Sequence, residues 1–218
     1  DRVATWGREN KFSVADTPEI MTIQGNLLNW QIQFQTADVT MFQAESGHYD
    51  LIIAQAFLDL IDVPKILPKL KALLNPSGLF YFTINFDGET IFEPVSDPAR
   101  EQTISAAYHR TMDERLIAGK RSGDSQSGRH LFSQLRAAGA NILAAGASDW
   151  VVYPGDTSYP ADEAYFLHCI LAFFEESLGT RPDCDQAMLS AWLTERRSQI
   201  ENKDLIYIAH QLDFVGKL

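Results

Sequence analysis

The chain has 218 residues, of which 45% are hydrophobic and 11% aromatic, enough for a full core without disulfide staples. Its formal net charge of −11 sets the surface against nucleic-acid backbones, and its basic clusters, Lys120-Arg121 and Arg196-Arg197, are short. No run approaches the roughly 18 apolar residues of a membrane helix, and no signal-peptide pattern opens the chain, so a soluble cytoplasmic protein is expected.

Taken in order, Val3 and Trp6 suit a short helix over residues 1–10. Asp16-Thr17-Pro18-Glu19 reads as a helix start, with a cap, a proline at the first turn and an acid at the positive end. That helix is expected to run through Ile20, Ile23 and Leu27. Gln31 to Gln35 alternates polar and apolar residues, a strand signal. Tyr49 to Ala54 is a short apolar run and reads as a buried, parallel strand. Pro64 to Leu74 carries Ile66, Leu67, Leu70, Leu73 and Leu74 on one helical face. Asn75-Pro76-Ser77-Gly78 ends that helix, and Leu79 to Ile84 is the next strand. Strand, helix and strand thus follow as a βαβ unit.

Residues 93–128 read as a polar, partly helical insert, with helix over Glu101 to Leu116 and a loop at 122–128. Arg129 to Ala138 is a helix that stops at Gly139. Asn141 to Ala145 and Trp150 to Tyr153 are strands or one bent strand. Pro154 to Pro160 is a loop, and Ala161 to Leu178 and Asp185 to Asn202 are helices. Leu205 to Phe214 is the closing strand. Two cysteines, Cys169 and Cys184, make no disulfide framework, and five scattered histidines make no metal motif.

Three blocks resemble the second half of class I S-adenosylmethionine-dependent methyltransferases. They are Phe34-Gln35-Thr36-Ala37-Asp38, Tyr49 to Leu60, and Leu73-Leu74-Asn75-Pro76-Ser77-Gly78-Leu79-Phe80. They come in that family's order and spacing and cover about a quarter of the chain. Ser77 stands where the family usually has glycine. The resemblance implies an α/β fold, a Rossmann-like mostly parallel sheet with helices on both faces and a final antiparallel strand, plus a helical insert. It implies one domain over 1–218 with residues 93–128 as a lid within it. The family's glycine-rich first turn is missing before Phe34, where Gly7 and Gly25 are isolated. An N-terminally truncated domain is therefore expected.

The resemblance also assigns a site. S-adenosylmethionine is the implied cofactor, with Asp38 and Val39 at the adenine and Gln55, Ala56 and Phe57 beside the ribose and methyl group. Each also has an ordinary reading: a cap for Asp38, core packing for Phe57. Asn85 and Asp87 follow the strand at Phe80 to Ile84, at the edge where such sheets bind ligands. Asp87-Gly88 also fits a plain turn. Tyr108, His109 and Arg110 lie in the insert, where a solvated helix face is the competing account. Trp150 is a pocket wall or a core residue, and His210 alternates with apolar neighbours as an edge residue.

Methyl transfer needs proximity and orientation more than a dedicated base, so the absence of a triad or metal motif is compatible with it. The expected activity is methyl transfer to a small-molecule acceptor, with no nucleic acid, membrane or metal involved. The alternative is a non-catalytic methyltransferase-like scaffold or binding module. A dehydrogenase would need a dinucleotide fingerprint that the chain lacks.

Overall fold

The computed structural model describes residues 2–117 and 119–218, and the chain divides into two units, Asp1–Gln43 and Ala44–Leu218. The first unit holds α1 (Arg2–Glu9), then β1 (Ser13–Asp16), β2 (Ile20–Gln24) and β3 (Asn29–Gln33), an antiparallel meander in the order β1-β2-β3. Its small core is Ala4, Met21 and Ile23, packed by Phe12, Val14, Leu28 and Ile32.

Two expectations are corrected here. The segment after Pro18 is strand β2, not a helix. Met21 and Ile23 are buried while Gln24 is exposed, a period of two that suits the β-branched residues there. Asp16-Thr17-Pro18-Glu19 is the turn between β1 and β2, closed by Thr17 Oγ1 donating to Ile20 O at 2.8 Å. The strand near Phe34 ends at Gln33 and belongs to this meander, so it does not join the sheet that holds Leu51 and Leu79. A short hairpin connection satisfies β3 locally, and the pattern of alternation does not say which sheet a strand will enter.

The second unit carries the βαβ unit that the sequence predicts. β4 (Tyr49–Gln55) leads through α2 (Val63–Leu73) into β5 (Leu74–Glu93), and the two strands are parallel, with Leu51 opposite Leu79 and Gln55 opposite Thr83. Asn75 to Gly78 is accommodated as an irregularity in that register. α2 buries Val63, Ile66, Leu67, Leu70 and Leu73, the apolar face read from the sequence. β5 runs nine residues past Ile84, because its later part pairs with the closing strand.

Next comes α3 (Pro98–Asp113), whose first turn is capped by Asp97 accepting from the backbone N–H of Ala99 and Arg100 at 3.1 Å. A two-residue hairpin follows, β6 (Leu116–Ile117) and β7 (Lys120–Arg121). Then come α4 (Ser127–Ala137), β8 (Asn141–Ala147), β9 (Trp150–Val152), α5 (Glu163–Leu178), α6 (Gln186–Glu201) and β10 (Ile206–Lys217). Gly139, at φ +75°, ends α4 in the left-handed conformation a helix stop favours.

The sheet order is β4-β5-β10-β8, with β9 also on β10. β10 is antiparallel to β5, β8 and β9, so it alone opposes the direction of the others. This is a mixed α/β sheet with helices on both sides. Residues of α2 and α4 pack with Phe80, Phe82 and Phe214, all at most 1% exposed. α3, α5 and α6 build a second core around Phe92, Phe174, Trp192 and Tyr207. Inside it, Arg196, 1% exposed, pairs with Glu101 and donates to Pro94 O, while Trp192 Nε1 donates to the same carboxylate at 2.6 Å. β4 is parallel as expected but not buried: it is an edge strand, paired on one side alone by β5, and Leu51 and Ile53 are exposed.

Candidate functional site

The ends of β4 and β8 and the middle of β5 open on one edge of the sheet, and the polar side chains of the second unit gather there. β4 stops at Gln55. Ala56 takes a left-handed φ of +48° and its N–H donates to Thr83 O at 3.0 Å, which turns the chain off the sheet. Gln55 and Ala56 are exposed and Phe57 is half-buried. A single 3-10 turn, Leu58–Leu60, then buries Leu58 and draws in Asp59, whose carboxyl is raised by burial, with Arg115 opposing in part. One oxygen of that carboxyl is buried without a hydrogen-bond partner.

Past Ile84, itself at φ +59°, Asn85 is fully buried and donates to Leu212 O at 2.7 Å. Asp87 is also buried. Its Oδ1 accepts from the backbone N–H of Arg129 at 2.6 Å and from Arg129 Nε at 2.9 Å. The carboxylate therefore caps α4 from another element, satisfying one of the first-turn donors. Gly128 makes this approach possible: a Cβ there would lie 2.9 Å from both Asn85 O and Asp87 Cβ. Gly88, at φ +80°, lies within β5 and not in a turn, at the point where the register with β10 shifts. His210 sits beside this group, with Nδ1 2.7 Å from Asp149 Oδ1 and Nε2 3.7 Å from Asp87 Oδ2.

A cleft of about 590 Å³ lies between Ile61–Pro64, the loop before α4 and α4 itself. Asp62, Asp113, Arg121, Asp124, His130 and Gln134 are among its lining residues. His130 Nδ1 lies 2.6 Å from Asp124 Oδ2, and Asp124 Oδ1 accepts from Gln126 N–H at 2.9 Å, which fixes the carboxylate. Asp113 accepts from Ser125 N–H at 2.8 Å and from Ser125 Oγ.

The substrate candidates from the sequence are spread over different surroundings. Tyr108 stacks on Phe174 with ring centroids 3.8 Å apart, and burial raises its phenol. Trp150 stacks on Phe166 at 4.4 Å and stays 45% exposed. Arg110 is exposed and lies 3.8 Å from Asp183. His109 packs toward β5 through Phe86, 5.5 Å between centroids, and burial lowers its affinity for a proton against the pull of Glu89 and Asp113. Asp38 and Val39 belong to the first unit. Asp38 lies five residues beyond β3, exposed, and accepts from Thr40 N–H and Oγ1 at 2.7 Å. Sequence reasoning missed Asp113, Asp124 and His130. Asp124 and His130 are six residues apart across a loop and a helix start, and no motif marks that spacing.

No family model and no curated protein matches the chain. Among solved structures, it aligns with the Haemonchus contortus phospholethanolamine N-methyltransferase 2, in complex with phosphomonomethylethanolamine and S-adenosylhomocysteine, at 11% identity and a TM-score of 0.36. It aligns with a geranyl diphosphate methyltransferase in complex with S-adenosylmethionine at 8% identity and 0.38, and with the YcgJ protein from Bacillus subtilis at 11% and 0.42. These alignments cover 83%, 85% and 85% of this chain. They span 35%, 57% and 70% of the respective partners, so the chain covers about a third of the length of the first of them.

Proposed function

We propose that the protein serves S-adenosylmethionine-dependent methyl transfer to a small-molecule acceptor. The observation that carries this reading is the order β4-β5-β10-β8 with β10 alone reversed. It is the arrangement that the sequence resemblance implies for the closing half of such a sheet. The polar crevice lies at the carboxyl edge, where open α/β sheets take ligands.

The donor would meet Gln55, Ala56 and Phe57 at the end of β4. Gln55 and Ala56 are open to contact there, and half-buried Phe57 offers an apolar wall. Asp38 and Val39, which the resemblance assigns to the adenine, belong to the first unit. The fit at the donor's amino-acid end is poor. Gly7 and Gly25 precede Phe34, and their open sides are filled: a Cβ would meet Val14 at 2.7 Å in one case and Phe12 at 2.6 Å in the other. Among the described residues upstream of Phe34, neither glycine is a ligand cradle. When bound, the donor supplies the electrophilic methyl group. The chain contributes orientation, with Asn85 and Asp87 held rigidly by β10 and α4, and His109 closing from α3.

Calorimetric titration with S-adenosylhomocysteine tests the proposal. Weak heat is expected, in keeping with the poor fit at the amino-acid end, and Phe57→Ala, which removes the apolar wall at the end of β4, should weaken binding roughly tenfold. No heat at millimolar ligand would replace the reading with a non-catalytic binding module, which the filled glycines of the first unit favour.

A further inference from the structure

We propose that the cleft between α2 and α4 receives a small ammonium compound and that His130 takes its proton. The inference rests on the methyl-transfer reading and names its acceptor class. Three observations carry it. First, His130 is oriented by a fixed carboxylate. Asp124 engages Nδ1 at 2.6 Å, while Nε2 has no partner among the described residues. An imidazole held in this way presents Nε2 as a proton acceptor, and the imidazolium that forms is stabilised by the carboxylate behind it.

Second, the cleft is lined by acceptors. Asp62, Asp113 and Asp124 line it with one cation, Arg121, and Lys65, outside the lining, pairs with Asp62, a formal balance of −3 + 2 = −1 with His130 neutral. Third, Gln134 lines the same cleft, and its Oε1 is buried without a hydrogen-bond partner. A ligand with several N–H donors satisfies these groups, and an anion does not. An ammonium nitrogen has no lone pair and cannot act as a nucleophile. At His130 one N–H bond breaks, the electron pair stays on the ligand nitrogen, and the proton forms the Nε2–H bond. The products are a neutral amine and an imidazolium paired with Asp124.

Ethanolamine is a suitable probe, with ethylene glycol and glycolate as neutral and anionic controls of similar size. Histidine-selective NMR of the unmodified protein should show the His130 ring shifting on addition of ethanolamine, and not with ethylene glycol. His130→Gln and Asp113→Asn should each weaken ethanolamine binding at least tenfold with the melting midpoint retained. Asp124→Asn should release the ring from its fixed tautomer. An unmoved His130 resonance at millimolar ethanolamine, or a preference for glycolate, would overturn the proposal. S-adenosylhomocysteine titrated into the same sample reports the donor separately. Amine binding without donor binding keeps the cleft and removes methyl transfer, while donor binding without an amine response does the reverse.

Discussion

Asp87 Oδ1 lies 2.6 Å from the backbone nitrogen of Arg129 and 2.9 Å from its Nε, so one carboxylate oxygen joins the middle of β5 to the first turn of α4. The helix has no cap of its own, since Gln126 makes no side-chain capping bond. Asp87 therefore sets where α4 begins, and with it the position of His130 one residue later.

Asp87→Ala should cost about 2–3 kcal/mol, a lost cap together with a charged hydrogen bond. Asp87→Asn should cost less, because one acceptor oxygen remains. Urea denaturation of the two variants checks the order, and equal losses would contradict the capping role.

Leu70 is 5% exposed, on the face of α2 turned to the core. Leu70→Ala should lower stability by roughly 2–5 kcal/mol. An unchanged denaturation midpoint would refute the packing.

Asp59 gives a prediction with a sign. Its folded pKa is raised by burial, so the native state holds the proton more tightly than the unfolded chain. The favourable contribution is complete below the unfolded value of about 3.9 and is lost as pH rises through the folded pKa. The ionised form of this partly unpartnered carboxylate is the costly one. Asp59→Asn should raise the melting temperature at pH 7, and the gain should shrink as the pH is lowered toward 4.

His109 runs the other way along the pH axis. Burial lowers its folded pKa, so protonation favours the unfolded chain. Its contribution is complete above the unfolded value of about 6.5 and is lost as pH falls below it. His109→Phe should flatten this part of the stability profile between pH 7 and 5. A profile parallel to that of the unmodified protein would show that the histidine is not desolvated.

Arg196 and Glu101 form a buried pair next to Trp192. Arg196→Ala should cost about 3–5 kcal/mol, because Glu101 is left charged in an apolar layer. The double variant Arg196→Met with Glu101→Leu should cost less than the sum of the two single changes. Additive losses in chemical denaturation would mean that the two charges are not coupled.

Much of the second unit was legible from residue spacing. The leucines of α2, the Gly139 stop and the apolar run of β4 are local signals, and local interactions decide those elements. The reversed direction of β10 came from the family likeness. The first unit was harder to read. Asp16-Thr17-Pro18-Glu19 serves a helix start or a tight turn equally well, and the burial of Met21 and Ile23 beside Ala4 settles it in favour of a strand. The site was the least legible part. Asp87 looked like a turn residue or a ligand contact, yet its partner is forty-two residues away. The Asp124–His130 pair depends on how the loop enters α4, which no periodicity encodes.

The place of β10 in the sheet bears on synthesis. It follows every other described strand in the chain, yet it is the one on which β5, β8 and β9 all pair. On a ribosome, β4, α2 and β5 can begin to collapse early, but β8 and β9 have no strand to join until residues 206–217 have been made. Until then the apolar residues of β5 and α5 lack the cover that Tyr207 and Ala209 give them, and exposed apolar surface of this kind favours aggregation. A stop codon anywhere before Ile206 would remove the strand that joins β5 to β8 and β9 and leave only β4 and β5 paired in this sheet.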